Sequence, residues 1–137
     1  MKSSIASLCL LLLAGPVMLD CGSPSAHDLQ SVTISPATAD AQNFPGGQVQ
    51  FTATGIYSTQ PSPVTPFSAT WGSCHQSTPT NAVSVTSSGL AQCVPGAPGT
   101  YTVWAYGPDP AKVNCTAINA CGGGCGRITG TASLTCP

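Results

Sequence analysis

The chain has 137 residues and a mass of 13.7 kDa, enough for one domain. Only 5% of residues are charged, Glu is absent and the formal net charge is −1. With so few basic residues there is no surface to track phosphates, which argues against nucleic acid as a partner. Gly 15 and Pro 13, beside few strong helix formers, point away from a helical bundle.

Lys2 is followed by an apolar stretch from Ile5 to Leu19. A membrane span needs about 20 apolar residues, and Gly15-Pro16 interrupts this one early. The pattern predicts an export signal over residues 1–20. Its end, Val17-Met18-Leu19-Asp20-Cys21-Gly22-Ser23, resembles a bacterial lipoprotein signal. That resemblance implies a lipid on the sulfur of Cys21, which becomes the mature N-terminus and a membrane anchor. Asp20 stands where that pattern has a small residue. Ordinary signal-peptidase cleavage near Ser23 or Ser25 is the alternative. Both routes take the chain out of the cytoplasm. It becomes an outer-membrane or cell-surface lipoprotein, or a secreted or periplasmic protein. Residues 21–28 then form a short tether.

From residue 29 onward, apolar residues alternate in short runs divided by Gly and Pro. Leu29–Ser35 puts Val32 and Ile34 on one face, and Pro36 ends it. Residues 43–47 form a turn. Gln48–Tyr57 is the clearest strand, with Val49, Phe51, Ala53, Gly55 and Tyr57 alternating with polar residues. After a loop at Pro61-Ser62-Pro63, Phe67, Ala69 and Trp71 alternate. Ala82–Thr86 and Leu90–Val94 flank a Ser87-Ser88-Gly89 turn. Thr100–Tyr106 follows residues 95–99, and Arg127–Cys136 closes the chain. No helix-length crossover separates these runs, so a parallel sheet is not expected. The expectation is an all-β, antiparallel, disulfide-stabilised sandwich of about seven strands over 29–137, with Trp71 as its central core aromatic.

There are eight Cys, and Cys9 lies in the signal. Beyond the lipidation candidate Cys21, Cys74, Cys93, Cys115, Cys121, Cys125 and Cys136 are disulfide candidates in an exported chain. Cys74 and Cys93 flank the Val83–Val85 strand and are the expected pair. The other four would knit the 107–126 connection to the last strand. A zinc site is the rival. The gaps between the last four Cys are five, three and ten residues, which supply only one knuckle, at Cys121 and Cys125. No metal or other cofactor is expected. Gly122-Gly123-Gly124 lacks the Lys and following helix of a phosphate loop and is expected to be a bend.

Several of these segments together resemble a bacterial immunoglobulin-like domain of group 2. They are Ser31–Thr38, Pro45–Gly55, Ala69-Thr70-Trp71, Ala82–Leu90, Pro98–Val103 and Gly130–Thr135. The resemblance spans residues 29–137 and implies an immunoglobulin-like fold. Cys74, Cys93 and the long 107–126 connection depart from it. The family's members are mostly spacers, adhesin modules or polysaccharide-associated surface domains, with no catalytic residues to transfer.

A hydrolase needs a positioned acid, base or nucleophile. Asp28, Asp40 and Asp109 lie in a tether, a loop and a turn. His27 and His75 are the only histidines, and no Gly-x-Ser-x-Gly elbow occurs. An enzyme is therefore not expected. If Tyr101, Val103 and Ala105 point inward, Trp104 and Tyr106 point outward beside the 107–126 connection. They make a candidate binding surface for a surface protein or a polysaccharide, unless that connection folds back over them. The expected function is a non-enzymatic extracytoplasmic adhesion or interaction module. The alternatives are a structural spacer, or a carbohydrate-binding module using Trp104 and Tyr106. A thiol-redox or metal protein is a further class.

Overall fold

The computed structural model describes residues 27–108, 121 and 127–137. Ten strands form among them. In chain order these are β1 (Leu29–Ser35), β2 (Thr38–Asp40), β3 (Gln48–Gln50), β4 (Thr52–Tyr57) and β5 (Thr70–His75). They continue as β6 (Thr78–Pro79), β7 (Val83–Val85), β8 (Leu90–Cys93), β9 (Gly99–Pro108) and β10 (Arg127–Cys136). Alternation of polar and apolar residues fixes the inner face of the longer strands. Val49, Phe51, Ala53 and Gly55 are buried, whereas Gln48 and Gln50 are exposed. Tyr101, Val103 and Ala105 face inward from β9, as do Ala132 and Leu134 from β10.

The strands build two layers. In the first, β1 pairs β4, and β3–β8–β7 form an antiparallel set. Only Phe51 separates β3 from β4, so the two sets make one row. The second layer is β2–β10–β9–β5–β6. Phe51, Leu134, Val49 and Val103 are the largest fully buried apolar side chains besides Cys74, and they fill the space between the layers. The molecule is an all-β sandwich.

Three local features differ from what the sequence predicts. The Gln48–Tyr57 run divides at Phe51 because its two edges serve different partners, β8 and then β1. The Phe51 N–H donates to Gly89 O at 2.9 Å. The Phe67–Trp71 run enters the ladder only at Thr70. Phe67 instead donates its N–H to Ala53 O at 2.8 Å, and its ring plugs one end of the core. A side chain at Gly55 or Gly107 would collide with that ring, so both layers hold glycine there. Finally, β2 adds a short parallel pair to the antiparallel plan. Pro36 has no N–H to extend β1. The chain crosses to the other layer, where Ala39 lies in register with Leu134 and Ser133 donates to Ala37 O at 2.9 Å.

Among the described residues two disulfides are present, Cys93–Cys136 and Cys74–Cys121. The first joins β8 to β10 and so links the layers. The expected Cys74–Cys93 pairing is corrected. The Ser73 hydroxyl donates inward to Val83 O at 2.7 Å, so its neighbour Cys74 points to the outer side of the second layer. Cys93 meets Cys136 across the interior instead. Disulfides of this kind belong to an oxidising compartment. Cys115 and Cys125 lie outside the described residues, as do the 1–20 signal and Cys21.

Candidate interaction surface

The outer face of the second layer is built by register. Trp104 of β9 stands opposite Gly72 of β5 and Thr131 of β10, and Tyr106 opposite Thr70 and Thr129. Residues two apart on a strand share a face. Accordingly the Trp104 and Tyr106 rings stack, with centroids 5.3 Å apart and planes 16° from parallel. The indole lies flat over Gly72, where any β-carbon would strike its six-membered ring. Trp104 is half-buried. Its indole N–H is buried and finds no hydrogen-bond partner among the described residues. A buried donor of this kind is uncommon, and an incoming acceptor would satisfy it.

Cys74 sits on this same face, one alternation from Gly72, and is bonded to Cys121. The bridge therefore brings Cys121, from the β9–β10 connection, to the aromatic pair's side of the sheet. The remainder of that connection, 109–120 and 122–126, lies outside the described residues. So does the question of whether it covers the rings. Around the face, threonine and serine dominate: Thr70, Thr102, Thr129, Thr131 and Ser133 present hydroxyls.

The bridge also bears on chemistry. The Cys74 sulfur is committed to Cys121, so the adjacent Cys74-His75 pair presents no thiolate. His75 packs edge-on against Tyr101, with ring centroids 5.0 Å apart. The other histidine, His27, stacks on Tyr57 at 4.2 Å and pairs with Thr59 Oγ1 at 2.9 Å. The Asp28 N–H donates to Ser58 Oγ at 3.0 Å. The last two residues of the expected 21–28 tether are thus pinned to the β4–β5 connection. Among the described residues, no three His, Cys, Asp or Glu side chains gather as a metal site.

Trp71 departs from its expected place at the centre of the core. It faces inward from β5 but is only half-buried, and it opens onto a cleft. The Ser87-Ser88-Gly89 turn makes a hairpin too short to cover the far half of the facing layer. The chain matches no family model and no curated relative.

Proposed function

We propose that this chain is a non-enzymatic, extracytoplasmic immunoglobulin-like interaction module, anchored through a lipid on Cys21. Its binding surface is Trp104 and Tyr106, together with the β9–β10 connection. The observation that carries the proposal is the Cys74–Cys121 bridge, which ties that connection to the aromatic face. Long connections in compact domains are commonly functional. Aromatic rings anchor partners at low entropic cost, and the buried indole N–H offers a directed donor.

Three features support the immunoglobulin-like reading. With the short edge strands β2 and β6 set aside, the layer orders, β1–β4/β3–β8–β7 and β10–β9–β5, follow the constant-type arrangement of that sandwich. The Tyr101 hydroxyl, near the start of β9, donates to Ala97 O four residues upstream at 3.0 Å, as a tyrosine corner does. An inward-facing tryptophan, Trp71, lies on the strand where that fold carries one.

The surface is tested by comparing the oxidised chain with its W104A/Y106A variant on a glycan array and in cross-linking to cell-surface extracts. The double variant is expected to lose about tenfold or more in half-saturation. Unchanged binding removes the surface from these residues, and no binding by the parent chain favours a spacer. Anchoring is tested separately, by the intact mass of detergent-extracted protein. A chain beginning at Cys21 with added acyl mass is expected. A start at Ser23 or beyond overturns the anchor.

A further inference from the structure

The cleft over Trp71 opens through the first layer, on the other side of the sandwich from Trp104. Its origin is a mismatch of lengths. Strands β9 and β10 each run 10 residues, whereas β7 and β8 have 3 and 4. The β7–β8 turn therefore ends part-way along the sandwich. Beyond the gap, the β4–β5 connection lies along the free edge of β4. There Val64 N–H donates to Gly55 O at 2.9 Å, and Phe67 N–H donates to Ala53 O at 2.8 Å. Between the turn and this connection lies a cleft of 470 Å³. Phe51, Phe67 and Trp71 supply its apolar wall, and Ser68, Ser87 and Ser88 its exposed rim. That volume lies within the usual range for small-ligand sites.

We propose that this cleft binds one pyranose unit of a neutral oligosaccharide. The inference goes beyond the interaction face at Trp104 and does not rest on it. The argument is the chemistry of the lining. Among the described residues no Asp, Glu, Lys, Arg or His lines the cleft, so a charged ligand would be desolvated there without a counter-charge. A wholly apolar ligand would cover the rim hydroxyls and leave them unpaired. A pyranose fits both constraints. Its C–H face is flat and apolar and lies against an aromatic ring, while its edge carries neutral hydroxyls that donate and accept.

The rim is pre-organised for this. The Gln50 side-chain amide donates to Phe51 O and to Ser88 O, each at 2.8 Å. Both of its N–H donors are thereby used, and its Oε1 remains an acceptor for a ligand hydroxyl. Thr86 Oγ1 meets Ser88 Oγ at 2.9 Å and accepts from Leu90 N–H at 3.0 Å, which fixes the turn. At Gly89, φ is +84° and the chain passes against Phe51 O and the Trp71 ring. No other residue fits that approach. A rim held in this way loses little conformational entropy when a ligand arrives.

The chain has 2 Trp, so its indole N–H resonances form a two-peak reporter, assigned through W71F and W104F. The oxidised ¹⁵N-labelled chain would be titrated with neutral linear hexaoses (cello-, chito-, manno- and xylo-series) to about 10 mM. At least one is expected to shift the Trp71 peak saturably. S68A/S87A, on the exposed rim, is expected to weaken that binding about fivefold. W71A removes the reporter, so it is followed through the backbone amide peaks of Ser87 and Ser88 on the cleft rim, and it is expected to abolish their saccharide-dependent shifts. Should W71A fail to fold, the rim variant carries the test. Three results overturn the proposal. They are no Trp71 shift with any saccharide, a shift at Trp104 alone, or a Trp71 shift with a proline-rich peptide but with no saccharide. The second would move saccharide binding to the outer face, leaving the Trp104 proposal standing and this one lost.

Discussion

Replacing Cys93 and Cys136 together by alanine is expected to lower the free energy of unfolding by about 4 kcal/mol. The two residues are 43 apart in sequence, and the bridge restricts the unfolded chain over that whole span. It also joins strands of different layers, β8 and β10. Both ends sit in hydrogen-bonded ladders, Cys93 opposite Val83 and Cys136 opposite Gly99, so the folded state is expected to recover little freedom when the bond is removed. Alanine is the right replacement because Cys136 is buried, and a serine hydroxyl there would need a partner. Small domains are stable by about 5–15 kcal/mol, so this single bond is a large fraction of the total. Urea unfolding of the double variant, read by far-UV circular dichroism, measures the loss. A change below about 1 kcal/mol would mean that apolar contact alone holds the layers together.

The weight on that bond follows from composition. Several interior positions hold small residues: Ala53, Ala91, Ala105 and Ala132 are all buried. Each contributes less apolar area than the leucine or isoleucine a larger core would hold. Charged pairs have little part to play in a chain with 5% charged residues. Covalent staples therefore supplement a thin core, as they do in small disulfide-rich domains with limited burial.

Much of the fold was legible in the sequence, because a period of two reports directly which side chains share a face. Val49, Phe51, Ala53 and Gly55 all point inward as their alternation requires, and so do Tyr101, Val103 and Ala105. Alternation carries no information about partners, however. It could not divide Gln48–Tyr57 between β8 and β1, nor foresee that Thr38–Asp40 would join β10. Cystine pairing has the same difficulty. Cys74 and Cys93 flank one strand in sequence, yet they end on different sides of a sheet. Only the inward Ser73 settles which way Cys74 points. The alternation of Phe67, Ala69 and Trp71 gives Trp71 an inward face but not the depth of its cover. Its exposure depends on the lengths of β7 and β8 in the facing layer, a comparison between segments that are not neighbours. The aromatic pair Trp104 and Tyr106 was found because β9 is long and regular, so its two faces separate cleanly.

Phe51→Ala is expected to cost about 4 kcal/mol, among the largest effects of any single apolar truncation in the chain. Phe51 is fully buried and has the largest side chain in that class. It stands between β3 and β4, where the first layer changes partners, and its N–H holds the β7–β8 turn through Gly89 O at 2.9 Å. Removing the ring deletes its transfer energy and leaves a cavity that the paired strands on either side prevent from closing. The same ring walls the cleft over Trp71, so the new void would open toward solvent and water would enter. Leu134→Ala is the comparison, because Leu134 is equally buried but is not among the residues that line the cleft. Its expected loss is about 3 kcal/mol. Urea midpoints give both losses, and near-UV circular dichroism reports whether Trp71 keeps a fixed environment. Phe51→Ala is expected to flatten that signal in the folded baseline, whereas Leu134→Ala is expected to preserve it. A loss below about 1.5 kcal/mol at Phe51, with the signal intact, would show that the junction collapses onto the void. The β3–β4 break would then be a flexible seam rather than the fixed wall on which the Trp71 cleft depends.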